Sequence, residues 1–186
     1  MTTKVEIVNA GLIKLNARPI NSLSEVSNEA TLANQVWDIS RKAVLREHYW
    51  NFAIKEIELA RINDRPLMQY EYIFQLPTDF IRLVKLDNDT DFKIINNRVY
   101  TNKKDCILRY VYDNKNTSTW DAMFVDLMAI RIAKELAYTI TTSSAHQDRL
   151  QNEYLFILKK AKYYDATDES TDTLGPISSS IIDVRF

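Results

Sequence analysis

The stretch REHYWNFAIKEIEL, Arg46 to Leu59, decides how the chain is read, because the spacing of its apolar residues changes inside it. Upstream, Leu32, Val36, Ile39 and Ala43 recur every three or four residues, with Trp37 and Val44 widening the stripe. That spacing predicts a helix from about Asn28 to about Glu47, with Ser27 as its cap. From Phe52 onward the period becomes two, as in a strand. Glu47, His48 and Trp50 stand at the seam. A carboxylate beside an imidazole suggests acid–base chemistry, but adjacent helical residues point about 100° apart and do not face each other. A histidine at a helix C-terminus is also simply a favourable charge against the helix dipole. The stretch therefore reads as a corner, with Trp50 and Phe52 as its buried hinge.

Working outward, Val5, Val8, Leu12 and Leu15 predict a first helix closed by Pro19, and PINSLSEVSNEA turns the chain into the second helix as an antiparallel hairpin. The block after the corner alternates. Tyr70, Tyr72, Phe74 and Leu76 share one face of QYEYIFQLP, and Cys106, Leu108, Tyr110 and Tyr112 one face of DCILRYVYD. FKIINNRVYT is a hairpin, because Asn96-Asn97 tolerates the left-handed backbone of a two-residue turn. With AIKEIEL and DFIRLVKL, about six short strands result. Pro66 and Pro77 belong at strand ends, where no ladder amide is lost. Helical spacing returns in STWDAMFVDLMAIRIAKELAYTI, capped by Ser118 or Thr119, with Asp121 in its first turn and Val125, Met128, Ile132, Leu136 and Ile140 inward. A fourth helix, with Ser144 and Gln147 as capping box, buries Leu150, Tyr154, Ile157, Ala161 and Tyr164.

The expected fold class is α+β: an antiparallel helical core from both ends of the chain (1–51 and 118–165), an inserted small antiparallel β-domain (52–117) and a flexible arm (166–186). The arm is rich in Ser, Thr and Asp, then ends in the apolar IIDVRF.

Composition narrows the chemistry. With 24 Lys+Arg against 25 Asp+Glu, the net charge of −1 lacks the basic excess of a phosphate-gripping domain. Two glycines in 186 residues, Gly11 and Gly175, leave no phosphate-cradling loop. One cysteine, Cys106, allows neither a disulfide framework nor a cysteine-built zinc site, and reads as a small buried residue. His48 and His146, the latter expected to be exposed, have no metal-ligand spacing. DNDTD, Asp87 to Asp91, resembles a calcium loop without its glycine and glutamate. No apolar run reaches the ~18–20 residues of a membrane helix, and the first residues lack signal-peptide features, so a cytosolic site of synthesis is expected. Tyr70, Tyr72, Tyr100, Tyr110 and Tyr112 could stack on single-stranded nucleic acid, but without a basic excess they read as sheet packing or a subunit interface. No catalytic, cofactor-binding or metal residue is assigned.

The segments PINSLSE, LREHYWNFA, FQLPTDFIRLVKL, NNRVYTN, LRYVYD, WDAMFVDLMAIRIAKELAYTITTS and ILKKAKYYDATDE, in that order, resemble the head-to-tail adaptors of short-tailed bacteriophages, the tail tubular protein A family. The likeness runs to about Glu169. Trp50, Asn51 and Phe52 match the family's Trp-Asn-Phe stretch, Leu76 with Pro77 and Arg109 with Tyr110 its strand signatures. The resemblance implies a structural virion protein, not an enzyme. Its copies would form a twelvefold ring between the portal protein and the tail or nozzle protein, with a channel for viral DNA. It lends no catalytic residues. Outside the likeness, Ile181, Ile182, Val184 and Phe186 are the expected docking residues, on the portal or on a neighbouring subunit. The rival reading is a small α+β enzyme or ligand-binding domain, which would be a monomer or dimer. A nucleic-acid module would instead bind DNA with strong salt dependence.

Overall fold

A computed structural model describes residues 2–64, 69–86 and 91–168. The fold is α+β. Helices α1 (Lys4–Lys14) and α2 (Asn28–Glu47) come first, then strands β1 (Ile54–Glu58), β2 (Arg61–Ile62), β3 (Tyr72–Gln75), β4 (Phe80–Leu86), β5 (Phe92–Ile95), β6 (Arg98–Thr101) and β7 (Ile107–Tyr112). Helices α3 (Ala122–Thr141) and α4 (Ser144–Asp168) follow. The strands form two antiparallel sheets, ordered β1-β7-β4 and β2-β3-β6-β5.

The helical core is built around α3, against which α1, α2 and α4 all pack. Its first contributor, α1, begins with a full capping box: the Thr3 hydroxyl accepts from the Glu6 amide and the Glu6 carboxylate from the Thr3 amide. Gly11 lets α1 lie close on α3. A Cβ there would stand 2.7 Å from the Ala129 carbonyl oxygen. Beyond α1, Asn9 grips the backbone of Ile20 with both ends of its amide, at 2.8 and 2.9 Å, and so fixes the turn after Pro19.

The bounds of α2 and its Ser27 cap match the spacing of the residues, but its buried face does not. Ala30, Ala33, Trp37, Ser40, Arg41, Val44 and Leu45 face inward, while Leu32, Val36 and Ala43 are half-buried and Ile39 is 72% exposed. Arg41, buried and paired with Asp113, lies within that inward face, which centres on Trp37 and Val44.

Two caps also shift by a residue or more. Asp121 itself caps α3, accepting from the Met123 amide at 2.7 Å, while Thr117–Thr119 form a short 3-10 turn. Ser143 starts α4: its hydroxyl accepts from the His146 amide and its carbonyl from the Gln147 amide, because left-handed Thr142 has just broken the chain. Met128, Ile132 and Leu136 are buried as expected, yet so are Phe124, Leu127, Ala129, Ile130, Ala133 and Ala137, since α3 has neighbours on most sides. Val125 and Ile140 lie only at its margin. On α4, Leu150, Tyr154 and Ala161 are buried but Tyr164 is half exposed, because the helix touches the core along one narrow line. This helix runs to Asp168, so Ala166, Thr167 and Asp168 belong to it and not to an arm beginning at Ala166.

In the β region the Asn96-Asn97 turn has φ of 48° and 61°, as a two-residue hairpin turn of this kind requires. A second, smaller core collects Phe74, Leu76, Leu86, Val99, Cys106, Leu108 and Tyr110. Strand β7 belongs to both cores: Leu108 and Tyr110 face the small one, and Val111, on the opposite face, joins the helical one. Pro77 lies just past β3; Pro66 and Asp87 to Thr90 of the calcium-like stretch lie outside the described residues, as do Ile181, Ile182, Val184 and Phe186.

Candidate functional site

Among the described residues, the chain passes from the helices to the strands at Trp50 and from the strands back to the helices between Asp113 and Trp120. These two crossings lie side by side and make a neck. On the outbound side Trp50 is 1% exposed, and its indole nitrogen donates to the Val44 carbonyl at 3.0 Å. Its ring meets His48, Phe52 and Phe124, and Phe124 in turn meets Phe52 and Trp120. Trp120 stacks on Trp37 at 6.0 Å between centroids. The aromatic chain continues from the hinge to the middle of α2.

On the return side, Arg41 reaches out of α2 and holds Asp113 with two parallel bonds of 2.8 and 3.1 Å, and also holds Asp38 one turn back. Burial alone would lower the Arg41 pKa, but Asp113 and Asp38 more than offset it and hold the guanidinium charged. Asn114 then stitches the two crossings. Its side-chain amide nitrogen donates to the Phe52 carbonyl at 3.3 Å and to the Thr119 hydroxyl at 2.9 Å, while its main-chain carbonyl accepts from the Trp120 indole at 3.2 Å.

The end of α4 clasps the same corner. Asp165 lies 3.1 Å from the His48 imidazole and accepts from the Asn51 amide at 3.0 Å, and the Asn51 side chain donates to the Asp165 carbonyl at 2.6 Å. Glu47 turns elsewhere and accepts from the buried Tyr154 hydroxyl at 2.8 Å. Burial, with Glu47 alongside, pushes that hydroxyl well above the usual tyrosine range. Glu47 and His48 therefore serve two different partners. In front of the corner, Arg46 donates to the Ile81 carbonyl and Arg82 to the Arg46 carbonyl, fastening α2 to β4.

Around Arg109 the sheet opens into two shallow hollows. One, of about 260 Å³, is lined by Glu56, Lys85, Ile107 and Arg109. The other, of about 180 Å³, lies toward His48, Tyr49, Val84, Asp165 and Ala166. Two cations beside one carboxylate can hold an anionic group, but neither hollow brings a nucleophile to a base. Among the described residues, no group of three or more His, Cys, Asp or Glu is placed to hold a metal ion. Nor is any described helix long and apolar enough to cross a membrane. His146 is half-buried, its ring 3.2 Å from the Lys14 carbonyl at the α1–α4 contact, and not exposed.

The strand tyrosines pack. Tyr70 and Tyr110 are buried, and Tyr72 and Tyr112 are covered by this chain's own Arg61 and Lys55, at 4.3 and 3.8 Å from the ring centroids. Arg41, Asp113, Asn114 and Asp165 were missed by sequence reasoning. The only local signal was Arg41, one turn beyond Trp37 inside an apolar stripe. Neither a family model nor a curated protein matches the chain.

Proposed function

We propose that the chain is a structural subunit of a viral head-to-tail adaptor: a ring between the portal and the tail or nozzle protein, with a channel through which the genome passes. The observation that carries the reading is the neck. One stitched double crossing, clasped by the last described helix, joins a helical core to a sheet region without a hinge glycine or a catalytic group. A connector between two different neighbours has to pass force from one unit to the other, and the Arg41–Asp113, Asn114 and Asp165 bonds tie the two units together there. The ordered resemblance to adaptor segments supports it independently, and so does a net charge of −1, because a wall past which DNA slides must not grip phosphate. In this reading residues 1–51 and 118–165 are the ring body, 52–117 the insertion, and the arm with Ile181, Ile182, Val184 and Phe186 a docking element. The protein belongs to the virion and carries out no reaction.

Light scattering on the full chain, alone and with the portal protein of the same genome, tests the proposal. A closed ring, unaided or on the portal, is expected. A monomer or dimer indifferent to the portal overturns it in favour of a small enzyme or ligand-binding domain. Deleting Ser178 to Phe186 should leave the melting temperature unchanged and abolish attachment to portal-bearing heads. Wild-type attachment after that deletion removes the docking role.

A further inference from the structure

Helix α4 presents apolar residues on the side turned away from the core. Leu155, Phe156, Tyr163 and Tyr164 are 52, 58, 67 and 50% exposed. Phe156 and Tyr163 are seven positions apart, hence on one face, and Lys159 and Lys160 lie between them. With Tyr164 these residues line an open hollow of about 310 Å³. The Lys160 ammonium sits 4.5 Å from the Phe156 ring centroid. Among the described residues, Lys159 and Lys160 form no ion pair. Aromatic residues clustered on an exposed helix face are the composition of a contact surface. The lysines call for an acidic partner and the rings for an apolar one.

Residues 169–186 carry that chemistry: Glu169 and Asp172 first, then Ile181, Ile182, Val184 and Phe186 around Asp183. We infer that the outer stripe of α4 is the seat for residues 169–186 of a neighbouring copy. The inference rests on the ring assembly proposed above and names one of its contacts. A ring needs a heterologous contact, one surface on each subunit meeting a different surface on the next. A stripe and a segment of complementary chemistry on the same chain supply both halves. Repetition around a closed ring makes even a weak seat effective, since each further contact forms at high local concentration.

The test uses a fluorescent peptide of residues 169–186, titrated against the full chain with its own segment disabled by Ile181→Asp and Val184→Asp. Saturable binding below about 1 mM is expected. Phe156→Ser with Tyr163→Ser should weaken it at least about tenfold, and Lys159→Glu with Lys160→Glu should weaken it and remove its salt dependence. The second pair of variants guards against misfolding of the first, and both should keep the parent melting temperature. At dilution, the chain with its native segment should bind the peptide as well as the disabled one does. No saturable binding, or binding indifferent to both pairs, overturns the seat. Much weaker binding by the native chain at dilution means its own segment fills the stripe and overturns the neighbour. Rings that still form from the Phe156→Ser, Tyr163→Ser chain sink the stripe and leave the adaptor reading standing. A wild-type chain that never assembles, with or without portal, sinks the adaptor reading, and peptide binding still judges the stripe.

Discussion

The helical core and the sheet core are built from the same kinds of residue and differ in how many directions their elements are held from. α3 packs against three helices and is buried over much of its surface, though Asp126, Glu135 and Tyr138 remain exposed; the helical core draws its residues from both ends of the chain. Among the described residues the buried part of the sheet core runs from Leu59 to Tyr110, with Ile57 and Tyr112 at its edge, and one of its sheets borrows its second covered face from the helices through Val111. The smaller core is a satellite resting on the larger, and the neck is where the dependence is mechanical. Each core also contains a tyrosine–carboxylate–cation set: Tyr154, Glu47 and Arg131 among the helices, Tyr110, Asp79 and Lys55 in the sheets.

The most damaging single change should be Trp50→Ala, at about 3–5 kcal/mol, the usual cost of removing a large buried aromatic. Because Trp50 touches the hinge and α3 together, urea unfolding monitored in the strands and in the helices should shift by the same amount. Separate shifts would show that the sheets do not depend on the helical core.

Next comes Gly11→Ala. Helix propensity alone predicts a gain of about 1 kcal/mol. The close approach to the Ala129 carbonyl reverses the sign, and a loss of about 1–3 kcal/mol is expected. A raised midpoint of urea unfolding would mean that α1 can move off α3 at no cost.

The tyrosine pairs sharpen the comparison. Each Tyr→Phe change removes a hydrogen bond to a carboxylate, worth about 1–2 kcal/mol. Tyr154→Phe should cost more than Tyr110→Phe, since Asp79 retains Lys55 at 2.9 Å whereas Arg131 stays 3.9 Å from Glu47. Both hydroxyls are held above the ordinary value of 10.0, by burial and then by the carboxylate beside each. A raised folded-state pKa gives stability that is fully present below about pH 10 and is lost as the pH rises toward the folded value. The gap between wild type and each Phe variant should therefore close in alkali. Asp79 runs the other way. Burial raises its pKa, but Lys55 and Tyr110 outweigh that and hold it below 3.8, so its contribution is present above about pH 4 and fades in acid. Lys55→Met should flatten that acid limb.

The smallest effect belongs to His48→Gln with His146→Gln. His48 loses a partly exposed contact to Asp165, which costs less than about 1 kcal/mol, and ring assembly should be unchanged. Loss of assembly with an intact melting curve would give one of these histidines a part in a subunit contact.

How much of this was legible in the residues follows from how local each cause is. The bounds and cap of α2, the Asn96-Asn97 hairpin and the turn at Trp50 depend on neighbours within a few positions, and spacing reveals them. The inward face of α2 includes Arg41, which the spacing of apolar residues does not pick out and whose partner Asp113 lies 72 positions away. Asp165 is an unremarkable acid near the end of a helix until the fold sets it against His48 and Asn51. α3 reads as one-sided, and only its three packed neighbours widen its buried face to take in Phe124, Leu127, Ile130 and Ala137. The amino-acid order determines which segments are helix or strand and where they end, because those choices are made by backbone hydrogen bonds and side-chain spacing within a turn or two. Which face is buried, which charge is paired and which aromatic row is left outside are decided by contacts between distant segments, and these form only when the whole chain has packed.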